Sequence, residues 1–221
     1  MDALLKTKLF VPPLRSEVIL RPRLYERLDR LFDRKLALIS APAGFGKSTL
    51  VNTWVREQAL PVGWLTLDGG DNDPVRFLRY LEAALREADP EVGETLTGQL
   101  RSLQDGASRF DKLFTSLLNR LLDLSDPILL VVDDLHLIET RAVYDALAFF
   151  IAHLPPRVHL LLLTREDPPL PLARLRVRGE MIEIRASDLR FRHGESVRFF
   201  NQAMSLELQE ADILRLEGRT E

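Results

Sequence analysis

The sequence predicts an α/β protein with a central parallel five-stranded sheet and helices on both faces. Short apolar segments of the length of buried strands occur at 36–40, 62–67, 128–133, 158–164 and 181–185. Segments with helical periodicity lie between them, and a glycine-rich turn joins the first strand to the next helix. Strands that alternate with helices at this spacing favour a parallel sheet that is covered on both sides.

The order of the predicted elements divides the chain into three parts. Residues 1–21 form an N-terminal arm, whose first 20 residues are expected to be extended because Pro12 and Pro13 prevent a helix. Residues 22–190 form the main domain. Residues 191–221 are expected to begin a helical segment that is truncated here, because nothing after its two short helices closes a domain. A natural frayed terminus is the alternative interpretation.

Apolar residues spaced three or four apart indicate the helices. Such stripes predict a helix at 22–34 and further helices over 110–122 and 143–154. The stretch 89–108 is polar and contains three glycines, so we expect a connector with a weak helix.

Composition excludes several classes of function. The 221 residues are 46% hydrophobic with a net charge of −3, which gives no general attraction to nucleic acid. The chain has no cysteine, so it has neither disulfides nor thiolate metal sites. Its start lacks the apolar core of a signal peptide, and its apolar runs are too short to span a membrane. We therefore expect a cytoplasmic protein with no membrane partner.

The segment from Ile39 to Thr49 has the form of a Walker A phosphate-binding loop. Strand, glycine turn, Lys-Ser and helix succeed one another as the motif requires. The residues expected to bind the phosphates are Ala43, Gly44, Phe45, Gly46, Lys47, Ser48 and Thr49. Lys47 is predicted to bridge the β- and γ-phosphates, and Ser48 to bind Mg²⁺. The strict pattern has Gly where this chain has Ala41, and a glycine turn before an ordinary helix is the alternative.

The strand at 128–133 ends in two acids, as a Walker B motif does. Asp133 is predicted to hold Mg²⁺, and Asp134 to orient or deprotonate the water that attacks the γ-phosphate. The next strand ends at Thr164 and Arg165, where ligands bind in doubly wound sheets. Arg165 is a candidate sensor of the γ-phosphate, and a solvated arginine is the alternative.

Other polar groups favour structural roles. Asp68, Asp71 and Asp73 could form a cation site, but a turn and helix cap before a proline is the favoured interpretation. The histidines lack ligand spacing and are expected to be structural or solvated. The basic run 174–178 is short and lacks aromatic residues, so a solvated face or an internal contact is favoured over nucleic-acid binding.

Several segments together resemble the MalT-like, large ATP-binding LuxR-type transcription regulators of the STAND class of signalling ATPases. They include the stretches 9–13, 18–24, 40–49, 63–68, 71–74, 133–136, 163–165 and 175–178, in the same order over almost the whole chain. An alanine at the position of Ala41 is familiar in this family. The resemblance implies a nucleotide-binding domain with an α/β P-loop NTPase fold.

The resemblance also implies a function. Such proteins bind ADP or ATP with Mg²⁺, and slow hydrolysis acts as a switch. It implies that Ile19 and Arg21 lie near the adenine, and that Lys47, Asp134 and Arg165 have catalytic roles. A small-molecule inducer, self-association and DNA binding would involve further domains that this chain lacks. A STAND ATPase with a non-DNA output, or an AAA+-like or metabolic ATPase, remains the alternative.

Overall fold

A computed structural model describes residues 4–14, 18–90, 92, 108–203, 206, 208–209, 212–213 and 215. It contains a five-stranded sheet in the order β2-β3-β4-β1-β5, and neighbouring strands are all parallel. The strands are β1 Leu36–Ser40, β2 Val62–Thr66, β3 Ile128–Asp133, β4 Val158–Thr164 and β5 Met181–Arg185. The predicted fold class is confirmed.

Eight α-helices accompany the sheet in the described ranges. They are α1 Pro22–Asp29, α2 Lys47–Val55, α3 Pro74–Ala88, α4 Ser108–Leu122, α5 Arg141–Ala152, α6 Leu172–Val177, α7 Ala186–Leu189 and α8 His193–Arg198. The predicted helix at 22–34 changes to a 3₁₀ turn at Arg30. The predicted connector at 89–108 lies mostly outside the described residues.

Two apolar layers cover the two faces of the sheet. Alternate side chains of each strand point to opposite faces, so Leu38 joins the layer of α3, α4 and α5, whereas Ile39 joins the layer of α1 and α2. The β3 residues alternate in the same way. Both layers consist of fully buried aliphatic and aromatic side chains, which anchors the ends of the strands.

Helix α3 packs closely on β2 because Gly63 has no side chain. A Cβ atom at Gly63 would lie 2.3 Å from the carbonyl oxygen of Ala84, far inside van der Waals contact. The glycine therefore fixes the distance between this helix and the sheet.

The N-terminal arm differs from the prediction. Residues Lys6–Leu9 form a 3₁₀ helix, although extended chain was expected there. The side chain of Lys8 is buried against Asp71 and Asp68, and its Nζ atom lies 4.1 Å from the ring centroid of Tyr80. Long-range ion pairing, which the local sequence does not indicate, thus holds this segment against the domain.

The chain after β5 forms α7 and α8, and a π-helical turn succeeds them at Phe199–Ala203. The second of the two short helices predicted for residues 191–221 falls largely outside the described residues. None of the helices in the described ranges is long and apolar enough to cross a membrane.

Candidate nucleotide site

The loop between β1 and α2 has the backbone that a phosphate-binding loop needs. Gly44 and Gly46 have positive φ angles of 84° and 74°, a conformation that other residues rarely adopt. A Cβ atom at either glycine would meet nothing within 4 Å, so the space beside the loop is open. Helix α2 begins at Lys47, directly after the loop. Its first amides therefore face the same space.

The side chain of Lys47 is held inside the loop. Its Nζ atom donates hydrogen bonds to the carbonyl oxygens of Ala41 and Pro42, at 2.7 Å and 3.0 Å. Burial lowers the pKa of Lys47, and the charge of Asp133 partly offsets that effect. The ammonium group is thus ordered and only weakly solvated. A phosphate oxygen could replace the two carbonyl oxygens as its acceptor.

Asp133 lies at the carboxyl end of β3 and is 4% exposed. Burial raises the pKa of Asp133, and a hydrogen bond from Ser48 acts in the opposite direction. The structure therefore brings together the two residues predicted to bind Mg²⁺. Their hydroxyl and carboxylate oxygens are ligands that this ion accepts.

Asp134 is the only described non-glycine residue with a positive φ, at 57°. Its amide donates to Asp133 Oδ1 at 2.8 Å, and this bond supports the unusual backbone. Strained backbone of this kind clusters at functional sites. The conformation turns the chain at the end of β3 and leaves the Asp134 side chain 40% exposed.

Arg165 comes directly after β4, which lies between β1 and β3, and its side chain is exposed. Its charge acts on both Lys47 and His136, so it faces the same space as the loop. The predicted site residues at the ends of β1, β3 and β4 are therefore neighbours.

His136 also lies at this site, although the sequence favoured a structural or solvated role. Its side chain is 10% exposed, and neither ring nitrogen has a hydrogen-bond partner among the described residues. Burial and the charge of Arg165 lower the pKa of His136. Its position three residues after Asp133 is the signal that could have identified it.

The two residues predicted to lie near the adenine have different environments. Ile19 is half-buried. The guanidinium of Arg21 donates to the carbonyl oxygens of Leu189 and Arg190, both at 2.9 Å, and to Glu195. The side chain of Arg21 is therefore engaged with the segment after β5, and Arg21 is the N-cap residue that precedes α1.

The acidic cluster after β2 is a turn and a helix cap, as the sequence favoured. Asp68 accepts from the Gly70 amide, and Asp73 accepts from the Arg76 amide at the start of α3. Asp71 is fully buried and pairs with Lys8 and Arg76. In the part of the chain that the structure describes, no cluster of three or more potential ligands is arranged to hold a metal.

The basic run 174–178 combines the two favoured interpretations, because Arg174 and Arg178 are exposed and Arg176 makes contacts within the chain. Arg176 pairs with Glu183 through two hydrogen bonds of 2.8 Å and also contacts Asp167. This pairing partly neutralises the run.

Comparison with known families defines the class of the protein. Residues 17–163 match the AAA ATPase domain family. The chain belongs to this family, and membership implies nucleotide binding.

The resemblance to MalT-like regulators is also confirmed. The chain is 36% identical over 213 residues to the HTH-type transcriptional regulator MalT of Yersinia enterocolitica and equally to that of Serratia proteamaculans. In both comparisons the match covers 96% of this chain and 23% of the relative. The fold is similar to that of a STAND protein with a tetratricopeptide repeat sensor from Pyrococcus horikoshii, with a TM-score of 0.63 and 13% identity. That match covers 93% of this chain and 28% of the other.

Proposed function

We propose that this chain is the ATP- and ADP-binding switch module of a MalT-like transcription regulator. The observation that carries the proposal is the open loop between β1 and α2, in which Gly44 and Gly46 adopt positive φ and Lys47 is held inward. The AAA ATPase family and the MalT relatives support the same function.

Each site residue has a role in this proposal. Lys47 would exchange its carbonyl acceptors for oxygens of the β- and γ-phosphates. Ser48 and Asp133 would hold Mg²⁺, which neutralises phosphate charge when it is bound. Asp134 would orient the attacking water, and Arg165 would detect the γ-phosphate. Because only ATP carries that last group, the contacts of Arg165 and Lys47 would distinguish the two nucleotides.

The remaining contacts would position the nucleotide. The backbone amides of Ala43, Gly44, Phe45 and Gly46, together with Thr49, would surround the phosphates. Ile19 and the backbone of Arg21 would lie beside the adenine. This last assignment rests on the resemblance to the family.

The output of the switch would lie in other parts of a longer protein. The chain spans about a quarter of the length of the MalT relatives. We propose that slow hydrolysis controls self-association and DNA binding by those parts, in response to a small-molecule inducer. A switch needs a large difference in affinity between its two states, about 5.5 kcal/mol to move from 1:99 to 99:1.

Nucleotide binding is tested with Lys47→Ala. Titration calorimetry with ADP and with Mg-ATP should show binding by the parent chain and none by the variant. The control is Lys35→Ala, because Lys35 forms a surface ion pair with Glu180 at 3.4 Å. Equal affinity of the parent chain and Lys47→Ala would refute the site. Denaturing the purified protein and separating the released nucleotides by ion exchange identifies what it carries.

Hydrolysis is tested with Asp134→Asn, which keeps a residue that tolerates the positive φ. The variant should bind ATP but release phosphate at a small fraction of the parent rate. Unchanged turnover would remove the proposed role of Asp134. Rapid turnover by the parent chain alone would favour a motor or metabolic ATPase over a switch.

A further inference from the structure

A buried ion cluster joins the start of α1 to the segment after β5. We call Arg21, Arg23 and Glu195 the arginine latch. The side chains of Arg21 and Glu195 are 7% and 6% exposed, and Arg21 Nη2 lies 3.0 Å from Glu195 Oε2. Arg23 binds the same carboxylate through Nε and Nη2, both at 3.0 Å. Paired bonds of this kind combine strength with a fixed geometry.

The latch also holds the carbonyl oxygens at the end of α7. Arg21 binds those of Leu189 and Arg190, and Arg23 binds those of Arg190 and Asp188. These carbonyls have no partner within the helix because the last turn of a helix leaves its carbonyls unpaired. Two guanidinium groups therefore fix both α7 and the first turn of α8.

The latch attaches the first turn of α8 to the start of α1. Helix α8 also contacts the π-helical turn that follows it. Glu195 has two cationic partners, of which Arg21 is buried, so loss of Glu195 would leave the charge of Arg21 buried without this counterion. Arg27 adds an ion pair to Asp188 of α7 at 2.8 Å, whereas the three side chains of the latch hold the first turn of α8. A change of α8 between an attached and a released position would therefore break the latch.

The attached segment contacts the apolar layer that carries the phosphate loop. Leu189 of α7 lies in the same buried cluster as Ala41 at the start of the loop and Leu50 of α2. Phe45 of the loop and Ala186 of α7 pack against that cluster. A change in the loop can therefore reach α7 through continuous packing.

We propose that the arginine latch links nucleotide occupancy of the loop to the attachment of residues 186–198, so that each stabilises the other. This inference rests on the function proposed above and adds the route by which the site would control the chain beyond β5. Linkage is reciprocal, so a variant that releases the segment must also bind nucleotide less tightly.

The first measurement compares ADP affinity in latch variants. Glu195→Gln removes the charge and keeps the shape, and Arg23→Gln removes a more exposed partner. Each should weaken ADP binding about 5- to 150-fold, the range of allosteric coupling. The control is Glu180→Gln, which removes an ordinary surface ion pair. The double variant should lose less than the product of the two single losses, because both act on one cluster.

The second measurement monitors the segment directly. The chain contains no cysteine, so spin labels attach only at introduced sites. Labels at Ala59→Cys and Arg198→Cys, both outside the buried core, report the distance between the end of α2 and α8. The distance distribution should be narrow in the otherwise unchanged chain, broad in Glu195→Gln, and narrower again when saturating ADP is added.

The outcomes separate the two proposals. If the parent chain binds no nucleotide, the proposed function fails and the linkage fails with it. If the parent chain binds ADP but the latch variants bind it equally tightly, only the linkage is overturned. Thermal unfolding of every variant establishes that a loss of affinity does not come from a loss of fold.

Discussion

Replacing Lys8 by Met tests whether the N-terminal arm is fixed by a buried charge. The Lys8 ammonium contacts the fully buried carboxylate of Asp71 and lies 3.1 Å from Asp68 Oδ2. Methionine fills a similar volume but cannot neutralise that carboxylate. The variant therefore leaves a buried anion with fewer partners, which is destabilising.

The remaining contacts of Asp71 determine the magnitude. Removing one partner of a buried pair costs about 3–5 kcal/mol. Arg76 Nε still lies 3.1 Å from Asp71 Oδ1, and the Asp68 amide still donates to Oδ2 at 2.8 Å. We therefore expect the lower limit, about 3 kcal/mol. In a domain of this size that loss lowers the melting temperature by about 6–12 °C.

Differential scanning calorimetry of the parent chain and Lys8→Met measures this shift. Lys6→Met is the matched control, because Lys6 is exposed and its loss should change the melting temperature very little. Adding Asp71→Asn should partly restore the stability of Lys8→Met, since it removes the buried carboxylate charge that Lys8 had helped to neutralise. A Lys8→Met protein that melts with the Lys6→Met control would refute the reasoning.

Three further predictions each concern the replacement of one residue. Burial raises the pKa of Glu195, but its two arginine partners lower it further, from 4.5 to about 2. The ionised carboxylate should therefore stabilise the fold by at most about 3 kcal/mol above pH 4.5. Chemical denaturation should show that the stability difference between the parent and Glu195→Gln shrinks as the pH falls from 4.5 towards 2. Gly63→Ala should lower the free energy of unfolding by about 1–3 kcal/mol in a urea titration, because its Cβ would meet Ala84. Gly69→Ala, whose Cβ would meet nothing within 4 Å, should not show that loss. Gly46→Ala should lose ADP binding in calorimetry while the protein remains folded, because φ is 74° there; unchanged affinity would contradict the role of that backbone.

The sheet could be predicted from the sequence because β1, β3 and β4 are local apolar runs, and β5 alternates apolar and charged residues at its end. The alternation that sends Leu38 to one face and Ile39 to the other results directly from the strand period. The phosphate loop is equally local, since its glycines, lysine and serine lie within a few residues of one another. Residues at the ends of β3 and β4 could be assigned to the same site as the loop, because the carboxyl ends of parallel strands lie at one edge of the sheet.

The features that the sequence did not predict depend on distant partners. The 3₁₀ helix near Lys8 is associated with an ion pair to Asp71, 63 residues away. The side chain of Arg21 binds Glu195, 174 residues away. His136 lies three residues after Asp133, but a histidine at that spacing does not by itself indicate a site, and the fold places it near the charges of Arg165 and Lys47.

The two ends of the described domain are held in the same way, by buried charges that pair across the fold. Lys8 fixes the arm to the turn that precedes α3, and Glu195 fixes α8 to the start of α1. Apolar packing tolerates small shifts. Separating a buried ion pair, however, leaves a charge without its counterion and strongly destabilises the folded protein. Such pairs therefore favour two discrete positions over a continuous range. Helix α7 shares its apolar layer with α2, which follows the phosphate loop. A bound nucleotide can therefore influence the ion pair at Glu195, whereas the ion pair at Lys8 lies in the other layer.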